Sequence, residues 1–185
     1  HIWLSAFLLT PVISTTFASV GSMLRNMPSE SIGWLLIDEA GQAVPQAGVG
    51  AIYRSKRVIA VGDPMQIEPV VTHPPSLIEA ASKFMKVDSS KWMAPDASVQ
   101  TLSDESNCFG TIITREIGKI WIGVPLLVHR RCAEPMFSIS NTMAYNNLMV
   151  SAKKETDSPI GQLFKADVAW FDIQGSAQDK WCPEE

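Results

Sequence analysis

The sequence predicts an α/β fold built on a parallel sheet, and three observations carry that expectation. Two continuous apolar runs, Trp34-Leu35-Leu36-Ile37 and Val58-Ile59-Ala60-Val61, read as strands covered on both faces. Between them, Val44 to Tyr53 reads as a helix, so that strand, helix and strand alternate as parallel crossovers require. Polar groups follow each run at once, Asp38-Glu39 after the first and Gly62-Asp63-Pro64 with Gln66 after the second.

Taken in order, Ile2 to Leu9 reads as the end of a buried helix stopped before Pro11. Pro11 to Thr16 reads as a short buried strand centred on Val12 and Ile13. Phe17, Val20, Leu24 and Met27 recur at helical spacing, giving an amphipathic helix that ends near Pro28. After the two central strands, Leu77 to Met85 is expected to be a helix with Ile78, Ala81 and Met85 on one side. Lys86 to Ser98, polar and broken by Pro95, reads as an exposed loop. Ile120 to Val128 is apolar but interrupted by Gly123 and Pro125, and its second half reads as a strand. Glu134 to Tyr145 reads as a helix, and Val168 to Ile173 as a late strand. A domain boundary is expected near Lys119, giving units over residues 1–118 and 119–185.

The composition bounds the reading without deciding it. With 185 residues, 46% of them hydrophobic, the chain can bury a core and is one domain or parts of two. A net charge of −4 offers no basic face from which nucleic acid could be argued. The apolar stretch His1–Val20 lacks a basic leader and is interrupted by Pro11 and Ser14-Thr15-Thr16, so no membrane span is expected. Cys108, Cys132 and Cys182 are odd in number and widely spaced, which fits neither zinc nor a disulfide framework and points to a reducing cytoplasm. The start at His1 rather than Met suggests a cut-out piece or a processed terminus.

Ligands of an open parallel sheet bind beyond the carboxyl ends of its strands. Asp38-Glu39, Gly62-Asp63-Pro64 with Gln66, and Ser14-Thr15-Thr16 all follow apolar runs, so neighbouring strands would collect them along one edge. Phosphate chemistry has a use for such a set. Magnesium prefers oxygen ligands and retains several waters, so one carboxylate, Asp38, suffices to steady a magnesium–nucleotide complex. Glu39 can orient the attacking water, and Gln66 can hydrogen-bond both that water and the terminal phosphate. Each piece alone has a plainer meaning. The acidic pair can cap a helix, Gly62-Asp63-Pro64 can be only a turn, and Gln66 only a surface residue.

The same residues carry a family resemblance. Asp38-Glu39-Ala40-Gly41-Gln42 resembles motif II of superfamily 1 helicases, and Gly62-Asp63-Pro64-Met65-Gln66-Ile67-Glu68-Pro69 resembles motif III. Pro11-Val12-Ile13-Ser14-Thr15-Thr16 is similar to the strand before motif II whose end contacts single-stranded nucleic acid. Leu126-Leu127-Val128-His129-Arg130-Arg131-Cys132, with Pro135 and Tyr145 after it, resembles motif IV. Their order is that of the branch holding the RNA-decay helicases and the replication nuclease-helicases.

This resemblance implies a RecA-like P-loop NTPase sheet and the start of a second RecA-like domain, with ATP and Mg2+ as cofactors and single-stranded DNA or RNA as partner. Position by position it implies that Asp38 holds magnesium and Glu39 is the catalytic carboxylate. Gln66 would link the terminal phosphate to the nucleic-acid surface, with Gln42 and Asp63 beside the nucleotide. Arg130 would be the arginine finger, with Arg131 as the alternative, a role worth roughly 10³–10⁵ in rate. His129 stands where relatives carry a Tyr stacked on adenine. Thr15, Thr16 and Pro69 would lie near the nucleic-acid backbone.

No Gly-x-x-x-x-Gly-Lys-Ser/Thr string occurs in the chain, and no motif VI arginine. In family order these would precede His1 and follow Glu185, so the chain is expected to be an internal fragment, inactive by itself. The alternative reading is a degenerate RecA-like interaction module that hydrolyses nothing.

Overall fold

The computed structural model describes residues 2–115, 118–153 and 175. The fold is α/β, with short strands laid between helices. Helices α1 (Ile2–Leu9) and α2 (Phe17–Met23) precede strand β1 (Leu35–Ile37), and α3 (Pro45–Tyr53) leads to β2 (Val58–Ala60). Three helices follow, α4 (Pro75–Met85), α5 (Ser89–Trp92) and α6 (Val99–Ser106). A hairpin of β3 (Gly110–Arg115) and β4 (Gly118–Gly123) comes next, then β5 (Val128–His129), α7 (Met136–Ala144) and β6 (Val150–Ser151).

The strand–helix–strand alternation is present as expected. β1 and β2 pair in parallel with Leu35, Leu36 and Ile37 opposite Val58, Ile59 and Ala60. The pairing runs on past the strands, since the Val61 N–H donates to the Ile37 carbonyl at 2.8 Å and the Ala40 N–H to the Val61 carbonyl at 2.9 Å. α3 makes the crossover, with Pro45 in its first turn where a missing N–H costs nothing. Val20, Leu24 and Met27 point from α2 and the turn after it onto Ala51 of α3, and Trp3, Phe7 and Leu35 pack around them. A second cluster joins Ile37, Ala40 and Val99.

Several expectations are corrected. The Pro11–Thr16 segment is exposed but forms no strand, because among the described residues no strand pairs with it and Pro11 has no N–H to offer. α1 is not buried all round, since Leu8 and Leu9 are 86% and 88% exposed and only the Trp3–Phe7 side packs inward. β1 and β2 are not covered on both faces, with Leu36 at 70% exposure and Ile59 at 43%. Only Ile37 of the pair is fully buried, in the cluster it forms with Ala40 and with Val99 of α6. On α4, Ala81 and Met85 lie exposed, and the buried residue is Ser82. The 86–98 stretch is not simply an exposed loop, for it holds α5 and ends in buried Ala97 and Ser98. The late strand at Val168–Ile173 lies outside the described residues.

α6 is an element that apolar periodicity does not announce. Its start is fixed by a reciprocal cap, the Thr101 N–H donating to Ser98 Oγ at 3.1 Å and the Ser98 N–H to Thr101 Oγ1 at 2.9 Å. Its inward face is apolar only at Val99, with Gln100 and Asp104 also buried at 6% and 3% exposure. Asp104 Oδ1 accepts from the Gly123 N–H at 3.0 Å and from Gln100 Nε2 at 3.1 Å, and its carbonyl accepts from Trp121 Nε1 at 3.0 Å. These bonds fasten the β3–β4 hairpin to the helix. Among the described residues, Asp104 Oδ2 and Gln100 Oε1 lie buried without a hydrogen-bond partner.

Burial pushes the Asp104 carboxyl above its ordinary range, and the bonds from Gly123 and Gln100 offset this only in part. The raised value means that the folded state holds the proton more tightly than the unfolded chain. The favourable contribution is therefore complete below the ordinary carboxylate value and is lost as pH rises through the raised one. Asp104→Asn keeps the acceptor for Gly123, removes the charge and supplies a donor for Gln100 Oε1. It is expected to raise unfolding stability at pH 7 by about 1 kcal/mol, with the gain shrinking towards pH 3. Denaturant melts at the two pH values check this, and an equal gain at both would rule out the carboxylate as the cause.

Candidate functional site

Two loops meet where β1 and β2 end. The first runs from Asp38 through Glu39 into a 3-10 turn, Ala40–Gln42, and the second spans Gly62 to Pro69. Because the strands are parallel neighbours, both loops emerge at the same edge, as the sequence predicts. Their approach is close enough to require glycine. A Cβ on Gly62 would lie 2.7 Å from the Gly41 nitrogen, and one on Gly41 would lie 3.2 Å from the Asp63 carbonyl oxygen.

Asp38 and Glu39 are both exposed. Asp38 Oδ1 accepts from the Glu39 N–H at 3.0 Å. Glu39 sits in the left-handed region at φ 52° and ψ 40°, a conformation that non-glycine residues rarely adopt. Its Oε2 accepts from Gln42 Nε2 at 3.2 Å, so the acidic residue and the amide of the first loop are already engaged. In the second loop Asp63 is the hub. Its Oδ1 accepts from the Met65 N–H at 2.9 Å and its Oδ2 from Gln66 Nε2 at 2.9 Å, and Tyr145 Oη donates to the same Oδ2. Asp38, Glu39, Gln42, Asp63 and Gln66 thus belong to one pair of touching loops.

Of the other sequence-derived residues, Pro69 ends the second loop, and the rest stand apart from this cluster. Thr15 and Thr16 are exposed before α2, where the Thr16 carbonyl accepts from the Ser19 and Val20 N–H groups at 3.0 and 3.2 Å. Pro69 is buried and lines a cleft of about 180 Å³ with Gln66, Pro95 and Thr101. His129 ends β5, its ring 5.4 Å from that of Phe137 and its Nε2 accepting from the Cys132 N–H at 2.8 Å. Arg130 and Arg131 are exposed beside it, and the ion pairs among the described residues, Lys83–Glu79 and Lys91–Glu105, involve neither.

A larger cavity of about 610 Å³ opens beside β2, lined by Val58–Asp63, Asp104, Ile122, Leu127 and Tyr145. Neither cavity is lined by Asp38 or Glu39, which face open surface. Tyr145, half-buried on the wall of the larger one, follows the motif IV resemblance in sequence, where no local pattern gives it a chemical role. Burial pushes its phenol up to about 12, the Asp63 carboxylate adds to the rise, and a hydrogen bond from Gln66 acts against it. Tyr145 is therefore a standing donor at neutral pH.

The donor set bears on which metal could be held. Among the described residues, no group of three or more His, Cys, Asp or Glu side chains gathers as a metal cage. An exposed carboxylate with one oxygen taken by a backbone N–H suits a cation that keeps its waters and its phosphate ligands, as magnesium does. No helix among the described residues is long and apolar enough to cross a membrane.

No curated protein and no solved structure matches the chain. A family model does match, that of the AAA domain, over residues 7–74. This span contains β1, α3, β2 and both loops of the cluster. Residues 7–74 are thus similar to the AAA domain, a nucleotide-binding module of the P-loop class.

Proposed function

We propose that the chain carries the magnesium- and water-handling edge of an ATP-dependent motor that moves along single-stranded DNA or RNA. In this reading residues 1–118 belong to one RecA-like domain and 119–185 begin a second. The observation that supports it best is the docking of the Asp38–Gln42 loop on the Gly62–Gln66 loop at the carboxyl edge of two parallel strands. The match of residues 7–74 to the AAA domain covers the same edge.

Asp38 would hold magnesium, which when bound neutralises and orients the terminal phosphates. Glu39 would orient the attacking water and take its proton. Gln42 donates to the carboxylate of Glu39 and restricts where it can swing. Gln66, on the facing loop, would donate to the terminal phosphate or the water, and Asp63 fixes the loop that carries it. Arg130 would supply positive charge from the second domain, and His129 beside it would face the base. Thr15, Thr16 and Pro69 would border the nucleic-acid track.

The test is ATP turnover in the protein that includes a phosphate-binding loop, with and without single-stranded nucleic acid. Turnover stimulated by the strand is expected, and the 185-residue chain alone is expected to hydrolyse no ATP. Hydrolysis that ignores DNA and RNA would refute the motor, and absent hydrolysis with intact folding would favour an interaction module.

A further inference from the structure

The turn after α7 is built to reach the loop after β2. Asn141, buried near the end of the helix, donates through Nδ2 to the Met149 carbonyl and accepts the Met149 N–H at Oδ1, both at 3.0 Å. The Asn147 N–H adds a bond to the Asn141 carbonyl at 3.0 Å, and Asn146 and Asn147 adopt left-handed backbone at φ 52° and 58°. So fastened, the turn projects two side chains towards the rest of the molecule. Asn146 Nδ2 donates to the Thr114 carbonyl of β3 at 3.0 Å, and Tyr145 Oη donates to Asp63 Oδ2.

Asp63 Oδ2 therefore receives two donors at once, Tyr145 from the far turn and Gln66 from its own loop. Two donors on one oxygen constrain each other's direction. We infer that Tyr145 is a positioning residue that sets the orientation of the Gln66 amide through Asp63, linking the β5–α7–β6 segment to the nucleotide edge. The inference rests on the function proposed above for Gln66. Its structural half, the link from Tyr145 to Gln66, stands without that function. A tyrosine hydroxyl keeps its proton across the neutral range, so the link stays closed there.

Tyr145→Phe removes the hydroxyl and keeps the ring against the cavity wall. In a ¹⁵N spectrum of the chain, the substitution is expected to move the Gln66 side-chain amide and the Met65 N–H. The Gln42 side-chain amide, which bonds Glu39 instead, should stay in place. In the ATP-hydrolysing protein the same variant is expected to lower kcat about tenfold, the scale of one hydrogen bond to a charged group, at unchanged KM for ATP. A merely structural role would change thermal stability without this split. Unmoved Gln66 signals would overturn the inference, as would moved signals with unchanged kcat. If the parent protein hydrolyses no ATP, the motor reading fails, and the Gln66 spectrum by itself decides the link.

Discussion

Replacing Glu39 with Gln is expected to slow ATP hydrolysis by roughly 10²–10⁴-fold, the range for loss of a positioned general base, with ATP affinity near that of the parent. The argument is that Gln changes one thing only. Its side-chain oxygen can still accept from Gln42 Nε2, and the left-handed backbone at this position is equally accessible to both residues. What disappears is the negative charge that, in the function proposed above, orients the water and accepts its proton. Asp38 keeps the N–H of residue 39 as a donor, so magnesium–nucleotide binding should survive. Single-turnover kinetics beside equilibrium ATP binding, in the protein containing the phosphate-binding loop, separate the two effects. Turnover at the parental rate would remove Glu39 from the chemistry, and parallel loss of binding would assign it to the fold of the loop.

Gly62→Ala is the corresponding experiment on the scaffold, with an expected loss of about 3 kcal/mol, the upper part of the usual range for overpacking. A Cβ there would lie 2.7 Å from the Gly41 nitrogen, 2.9 Å from the Ala40 nitrogen and 3.0 Å from Gln100 Oε1. Two of these three atoms are backbone and cannot swing aside, so the loops themselves must separate. For a chain of this size the melting temperature should fall by roughly 5–10 °C, and nucleotide binding should weaken with it. Gly33→Ala is the matched control, since nothing lies within 4 Å of its added methyl. Equal melting temperatures for the two variants would mean that the Asp38 and Gly62 loops do not touch in solution.

The order of β1, α3 and β2 was legible because two apolar runs flank a helical stretch, and the acidic pair and Gln66 were legible because they end those runs. Burial was not legible in the same way. An apolar run states that a strand is compatible with cover, whereas cover depends on which helices pack on it, and here one face of Leu36 and Ile59 is left open. α6 escaped because, beside Val99, its buried residues are Gln100 and Asp104, which departs from the apolar pattern that periodicity looks for. Its cap, Ser98 with Thr101, was the available signal. The β3–β4 hairpin places its second strand at Gly118–Gly123, so the strand falls in the first half of the 120–128 run and not in its second. Tyr145 and Asp63 lie 82 residues apart, and no local pattern can announce a bond over that distance. The exposed position of Thr15 and Thr16 and the buried one of Pro69 likewise follow from packing.

The left-handed backbone at Glu39 has a consequence for any effort to make this protein hardier. A residue with a Cβ is held there at a cost of about 1 kcal/mol, and glycine would relieve it. Variants chosen for heat resistance alone would drift towards glycine at this position and discard the carboxylate. If Glu39 has the role proposed for it, a library ranked by melting temperature would then be enriched in folds without that chemistry, and the trade-off would be concentrated in a single residue.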